Sequence, residues 1–333
     1  MSNTPNLEKH SRPTAATSAS DLVGKTAIVT GSNSGIGLEC ARQFLDRGLT
    51  RLILAVRDEK RGEVARQNLR DGRQLDHAVT IEVWHLDYSS YDSILSFADR
   101  ARSLENLDIV VLNAGTYRLS RVIIQSTGHE EDVQVNYLST ALLTILFIPI
   151  LESKKRHNAK PGRMTIVSSS VAAWSRFKPS SDGSPLLQTL DGSKKFDHHQ
   201  QYCTSKLLGH LFLEELTRRV RSSTVVINCV NPGLCYGSGL TRDGAGTLLG
   251  FIVGIIFRIF GHSCVSGARA VVDAALVQDD ESHGRYLDGG KPVPYASVIY
   301  TAEGREMSKM LWEETMNELS FSDAENIVRA HTV

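Results

Sequence analysis

The stretch TAIVTGSNSGIG at 26–37 passes from an apolar, β-branched run into a turn holding three glycines. A short apolar run bounded by turn residues reads as a buried strand. Gly31, Gly35 and Gly37 let the backbone turn sharply and approach a pyrophosphate with no Cβ in the way. Beyond the turn, Leu38, Ala41, Phe44 and Leu45 fall on one helical face, and Gly48 follows as a C-cap. Strand, glycine turn and helix in that order put free N–H groups and the positive helix end at the turn. Three glycines in this window, directly after the first strand, favour a phosphate loop over an ordinary β–α turn. The spacing is G-x-x-x-G-x-G, not the commoner G-x-G-x-x-G.

Further strand-like runs occur at 52–56, 79–85, 109–113, 164–168 and 225–230, with a short one near 285–287. Most are continuously apolar and rich in Val and Ile, as expected of parallel strands buried on both faces. Helical patterns cover about 59–70, 91–104, 129–152, 200–220, 265–277 and 304–319. Strict alternation predicts an α/β doubly wound Rossmann fold, a single domain with a mostly parallel seven-stranded sheet. A disordered tail is expected at 1–20, with the domain at 21–333. A turn-rich insertion at 175–199 carries Pro179, Gly183, Pro185 and Gly192.

The chain has 333 residues, 41% of them hydrophobic, which suffices for one large core or two small ones. Lys+Arg and Asp+Glu each total 37, so the formal net charge is zero, and no block of like charge stands out. This argues against a nucleic-acid partner. The five cysteines (Cys40, Cys203, Cys229, Cys235, Cys264) have neither zinc nor thioredoxin spacing and read as reduced thiols in a cytoplasmic setting. The polar N-terminus lacks the apolar stretch of a secretory signal. The pair His198-His199 has no further ligands at metal-binding spacing, so no metal is expected.

Five more motifs follow the glycine turn in order: Asn113-Ala114-Gly115, Val135-Asn136-Tyr137-Leu138, Ser168-Ser169-Ser170, Tyr202-Cys203-Thr204-Ser205-Lys206 and Asn231-Pro232-Gly233. Together with Thr30-Gly31…Gly35-Ile36-Gly37, this series resembles the short-chain dehydrogenase/reductase family over about residues 22–320. Ala55-Val56-Arg57-Asp58, the long insertion before the tyrosine and Gly284-Arg285-Tyr286 are similar to its retinol-dehydrogenase-like branch and to fungal secondary-metabolism reductases. The resemblance implies an oxidoreductase moving hydride between a nicotinamide and a carbonyl/hydroxyl pair. It implies that Gly31, Ser32, Asn33, Ser34, Gly35, Ile36 and Gly37 cradle the nucleotide's phosphates. Asp87 would meet the adenine, Asn113, Ala114 and Gly115 would floor the pocket, and Pro232 and Gly233 would flank the nicotinamide. The family often has a Thr a few residues later, where Leu234-Cys235-Tyr236-Gly237-Ser238 stands here.

Arg57 heads the turn after the second strand, ahead of Asp58, Lys60 and Arg61. An acidic residue there suits the ribose hydroxyls of NAD, whereas a basic one suits a 2′-phosphate. The guanidinium's planar fork fits phosphate, which favours NADP(H) over NAD(H). The alternative is a solvated Arg57 with Asp58 on the ribose.

Tyr202 and Lys206 lie four apart, hence on one helical face. A tyrosine's ordinary pKa of about 10 is too high for a base at neutral pH, and a nearby ammonium lowers it. The pair reads as a general acid/base. By resemblance, Ser169 steadies the substrate oxygen, with Ser168 and Ser170 as alternatives. Lys206 also binds the nicotinamide ribose, and Asn136 holds a water in a proton relay. Trp174, Phe177 and Tyr236 suggest a hydrophobic small-molecule substrate.

The run LLGFIVGIIFRIF at 248–260, within an insertion spanning about 234–262, is too short to cross a bilayer and is read as a substrate lid, ahead of a homodimer contact or a shallow membrane anchor. An isomerase or cyclase on the same fold, and a catalytically silent nucleotide sensor, are the competing functions.

Overall fold

The computed structural model describes residues 22–73, 78–154, 160–180, 182–192, 196–239, 261–276 and 280–332. The tail at 1–20 and the run at 248–260 lie outside the described residues.

Six strands, β1 (Thr26–Thr30), β2 (Arg51–Val56), β3 (Thr80–His85), β4 (Ile109–Leu112), β5 (Gly162–Val167) and β6 (Val225–Val230), alternate with helices. These are α1 (Gly35–Leu45), α2 (Glu59–Arg70), α3 (Tyr91–Arg102), α4 (Glu131–Ser153), the short α5 (Leu186–Gly192) and α6 (His198–Thr217). A two-strand ladder follows, β7 (Cys235–Tyr236) with β8 (His262–Ser263), then α7 (Cys264–Leu276), β9 (Tyr286–Asp288), β10 (Lys291–Val293), α8 (Ala302–Glu318) and α9 (Ala324–Ala330).

Among the described residues the main sheet has eight strands in the order β10-β9-β6-β5-β4-β1-β2-β3. This is the doubly wound fold read from the sequence, with one strand more than expected. The addition is β10, antiparallel to β9. Gly289 and Gly290, both at positive φ, make the two-residue turn between them. Pro292 conceals β10 in the sequence, and an edge strand tolerates it because one side needs no donor.

Alternation along the strands divides the core between the two sheet faces. Ile28 and Ile53 pack with Trp84, Leu142 and Phe147 on one side, whereas Ala27, Val29, Leu52 and Leu54 pack with Cys40, Phe44 and Val271 on the other. α4 is long and apolar enough to span a membrane, but the sheet and its neighbours bury it almost completely, as the core helix.

A polar clamp pins the insertion and the C-terminal helix to the start of α4. His129 Nδ1 lies 2.7 Å from Asp191 of α5, and its Nε2 lies 3.2 Å from Glu318 of α8. The Glu130 N–H donates to the other Asp191 oxygen at 2.8 Å. Burial opposes charge on His129, yet the two carboxylates outweigh it and push the imidazole up to about 9. A folded pKa above the ordinary value of about 6.5 gives stability that is complete below about 6.5 and is lost as pH rises through about 9. Thermal melts should therefore show Tm falling across that window, with the fall shallower in His129→Gln. Equal slopes in the two proteins would remove the clamp from the account.

Candidate active site

The turn after β1 has the shape its glycines suggest. Gly31 and Gly35 sit at φ +63 and +59, where side chains are strained. A Cβ on Gly37 would come within 2.5 Å of the Gly31 carbonyl oxygen and 2.6 Å of Asn113 Nδ2. The closeness follows from Asn113, whose amide donates to the carbonyls of Thr30 at 2.9 Å and Gly31 at 3.4 Å. The Thr30 hydroxyl accepts from the backbone N–H of Asn113 and of Ala114, both at 3.0 Å. Asn113 and Ala114 thus brace the loop from below.

Side chains cap α2 and α3, from Asp58 and Ser90 respectively, but none among the described residues caps α1. The hydroxyl of Ser32 is buried with no partner among the described residues. An uncapped N-terminus, a spare buried hydroxyl and a cradle that a Cβ would fill all suit a pyrophosphate. Arg57 is exposed at the end of β2. The Asp58 carboxylate is turned onto its own helix, accepting from Arg61 N at 3.1 Å. Asp87 accepts from Ser89 N at 2.9 Å, so it shapes the turn after β3 while Ser90 supplies the cap.

Asn136 lies within a π-helical turn of α4, Gln134–Leu138, an irregularity that gathers at functional sites. Its Oδ1 accepts from Thr116 N at 2.9 Å, and its Nδ2 donates to Thr116 O at 2.9 Å and Ser205 Oγ at 3.0 Å. It thereby ties the loop after β4 to α6. Gly115 lies between them: a Cβ there would be 3.0 Å from Asn136 Oδ1 and 3.7 Å from Lys206 Nζ.

The Lys206 ammonium sits 5.7 Å from the centroid of the Tyr202 ring and 3.5 Å from the Val167 carbonyl at the end of β5. Burial pushes it down to about 8, against the pull of Asp132. The Tyr202 phenol is held above its ordinary range, first by burial and then by Asp132. This reverses the sequence expectation that Lys206 lowers it. Desolvation decides the direction, and the ammonium over the ring does not offset it.

The three adjacent serines differ in placement. Ser168 is buried and bonded to His210 Nε2 at 2.8 Å, Ser169 is part-exposed, and Ser170 is exposed. The turn Ser170–Trp174 is stitched to α6 by Ser175 Oγ to Thr204 Oγ1 at 2.9 Å and by Arg176 N to Gln200 Oε1 at 2.9 Å. After β6, Asn231 Oδ1 accepts from Gly233 N at 3.1 Å, and the segment runs on until Ser238 meets Gly35.

The short chain dehydrogenase family model matches residues 25–179. The chain is 47% identical over 316 residues to the short-chain dehydrogenase fogG of Aspergillus ruber, spanning 94% of this chain and 90% of that protein. The chain belongs to the short-chain dehydrogenase/reductase family. A second fungal member, the short chain dehydrogenase/reductase mfmJ of Annulohypoxylon moriforme, is 42% identical over 96% of this chain and 92% of its own length. Among solved structures, Pseudomonas aeruginosa RhlG in complex with NADP shares the fold, with a TM-score of 0.59 at 20% identity, over 81% of this chain and 96% of that one.

Three residues near the family motifs escaped the sequence reading. Tyr117 stands edge-on to Tyr202, ring centroids 5.1 Å apart, and 5.8 Å from His198. Its only signal is its place two residues after Asn113-Ala114-Gly115. Asp132 is fully buried, with Oδ1 lacking a partner among the described residues. Burial first, and Glu130 next, push its carboxyl up to about 8. In the sequence it reads as one more acid in a helical first turn. His210, four residues beyond Lys206, gives no signal at all.

Proposed function

We propose that this oxidoreductase uses NADP(H) to reduce a ketone or aldehyde on a hydrophobic small molecule, or oxidises the matching alcohol, in the cytoplasm and in the service of secondary metabolism. The observation that carries this reading is the continuous contact from the Gly31 turn through Ala114 and Gly115 to Asn136 and Lys206, with Tyr202 one helical turn before Lys206. Tyr117 adds an aromatic ring against Tyr202, and Trp174, 49% exposed, adds one against His199 of the same helix.

When bound, the dinucleotide supplies the hydride. Tyr202 holds a proton on its phenol, kept there by burial, and delivers it to the substrate oxygen as charge develops. Ser169 donates a hydrogen bond to the same oxygen. Lys206 holds the ribose and balances the charge left on the phenol oxygen. The protonated phenol suits reduction better than oxidation at neutral pH. Oxidation of NADPH against a panel of apolar and aromatic ketones and aldehydes tests the reading: turnover on at least one compound, lost in Tyr202→Phe, is the expected result.

The exposed Arg57, beside an Asp58 already engaged in capping, favours the 2′-phosphate. RhlG, solved with NADP, supports the same choice. Losing a charge-assisted pair costs about 2 kcal/mol, roughly thirtyfold in affinity. Arg57→Ala should raise the NADPH KM by about that factor and leave the NADH KM unchanged. Equal kcat/KM for the two cofactors in the unaltered protein would refute the preference.

A further inference from the structure

Behind Lys206, between α6 and the sheet, lies a cavity of about 20 Å³ with a mostly apolar wall that includes Ile166, Phe212 and Leu213, into which Ser168, Lys206 and His210 bring polar groups. About 10–15 Å³ suffices for one water, provided polar groups surround it. His210 is four residues after Lys206, so both face this cavity from one side of α6. Ser168 faces it from the end of β5, with its Oγ 2.8 Å from His210 Nε2. Cys229 enters from β6. The rings of Tyr286 in β9 and Tyr295 beyond β10 flank the imidazole, with centroids 4.7 and 5.1 Å away. His210 is 2% exposed, and its Nδ1 has no partner among the described residues.

We propose that His210 is a positioning residue for Lys206, acting through Ser168 and a single water held in this cavity. In this chain of donors, the ammonium donates to the water, the water to Ser168 Oγ, and the Ser168 hydroxyl to Nε2 of a neutral His210. Nδ1 then carries the proton, against the aromatic rings that accept an N–H weakly. The direction holds because His210 stays uncharged: burial first, and the Lys206 charge second, push it down to about 3. A charged imidazole would turn Nε2 into a donor and point the chain back at the ammonium. Among the titratable groups around it, Lys206 carries charge, while Cys229, Tyr286 and Tyr295 are held protonated by burial. The chain satisfies the inward face of the ammonium beside the Val167 carbonyl and leaves the remaining N–H for the side of Tyr202 and the ribose. The inference rests on the reading of Lys206 as the partner of Tyr202.

The test has two arms. In a crystal structure of the chain with NADP⁺, one ordered water should lie within hydrogen-bond distance of both Lys206 Nζ and Ser168 Oγ, and nitrogen NMR should find His210 neutral with Nδ1 protonated. A dry cavity or an Nε2-protonated ring overturns the proposal. In kinetics with phenanthrenequinone and NADPH, His210→Leu and Ser168→Ala should each lower kcat about tenfold, a part of the roughly 10²–10⁴ that a positioned acid/base contributes. Each should also move the alkaline limb of kcat/KM down by about one pH unit, because the ammonium has lost its acceptor chain. The double variant should be no worse than either single one, and His210→Gln, whose amide oxygen can accept, should restore the limb. Ser168→Ala removes one atom and keeps the test open if His210→Leu folds poorly. Unmoved limbs in both variants, with Tyr202→Phe inactive, overturn this inference alone; an active Tyr202→Phe overturns the underlying reading instead.

Discussion

Tyr202→Phe should lower kcat by at least about a hundredfold and leave NADPH affinity unchanged. The low end of general-acid contributions is roughly 10², and this substitution removes the acid and nothing else. The ring keeps its edge-on contact with Tyr117, and no described side chain bonds the phenol oxygen, so the packing of α6 survives. The buried phenol stays protonated well beyond neutral pH, which is the state a reductase needs. Fluorescence titration with NADPH and steady-state turnover separate the two effects. A variant that turns over at near-normal kcat would remove the acid role.

Lys206→Ala should damage both quantities, each by more than about tenfold, since one ammonium serves the phenol and the ribose. Its Nζ lies near Gly115, the Val167 carbonyl and the Tyr202 ring, at the meeting point of β4, β5 and α6. Removing it also takes away the cation that draws the Asp132 carboxyl down, leaving burial and Glu130 to push it further up. If affinity holds and only the pH optimum moves, the ribose role is wrong.

Most of the architecture was legible because parallel strands buried on both faces leave continuous apolar runs. The runs at 26–30 and 225–230 coincide with β1 and β6. β10 escaped because three residues containing Pro292 carry no period, although Gly289-Gly290 was an available hairpin signal. α5 was hidden in a segment read as turns. Its contacts are tertiary: the Glu314 carboxylate of α8 accepts the N–H groups of Leu186 and Leu187 at 2.8 and 2.9 Å. The motif residues were readable from order and spacing along the chain. Asp132, Tyr117 and His210 were not, because their roles come from which elements meet α6, and no local pattern records that. Asn136 is a mixed case: its position was read from the motif, but its side chain is spent on Thr116 and Ser205, which no motif states.

Net hydride transfer is the claim on which the rest depends. Turnover with NADPH carrying deuterium at the transferable position of the nicotinamide, followed by mass spectrometry of the product, measures it directly. One deuterium on the new carbinol carbon and one equivalent of NADP⁺ are expected, with both formed at least about a hundredfold more slowly by Tyr202→Phe. Product that forms without label and without loss of NADPH would contradict it, and would point to the isomerase or cyclase chemistry that the same fold can host.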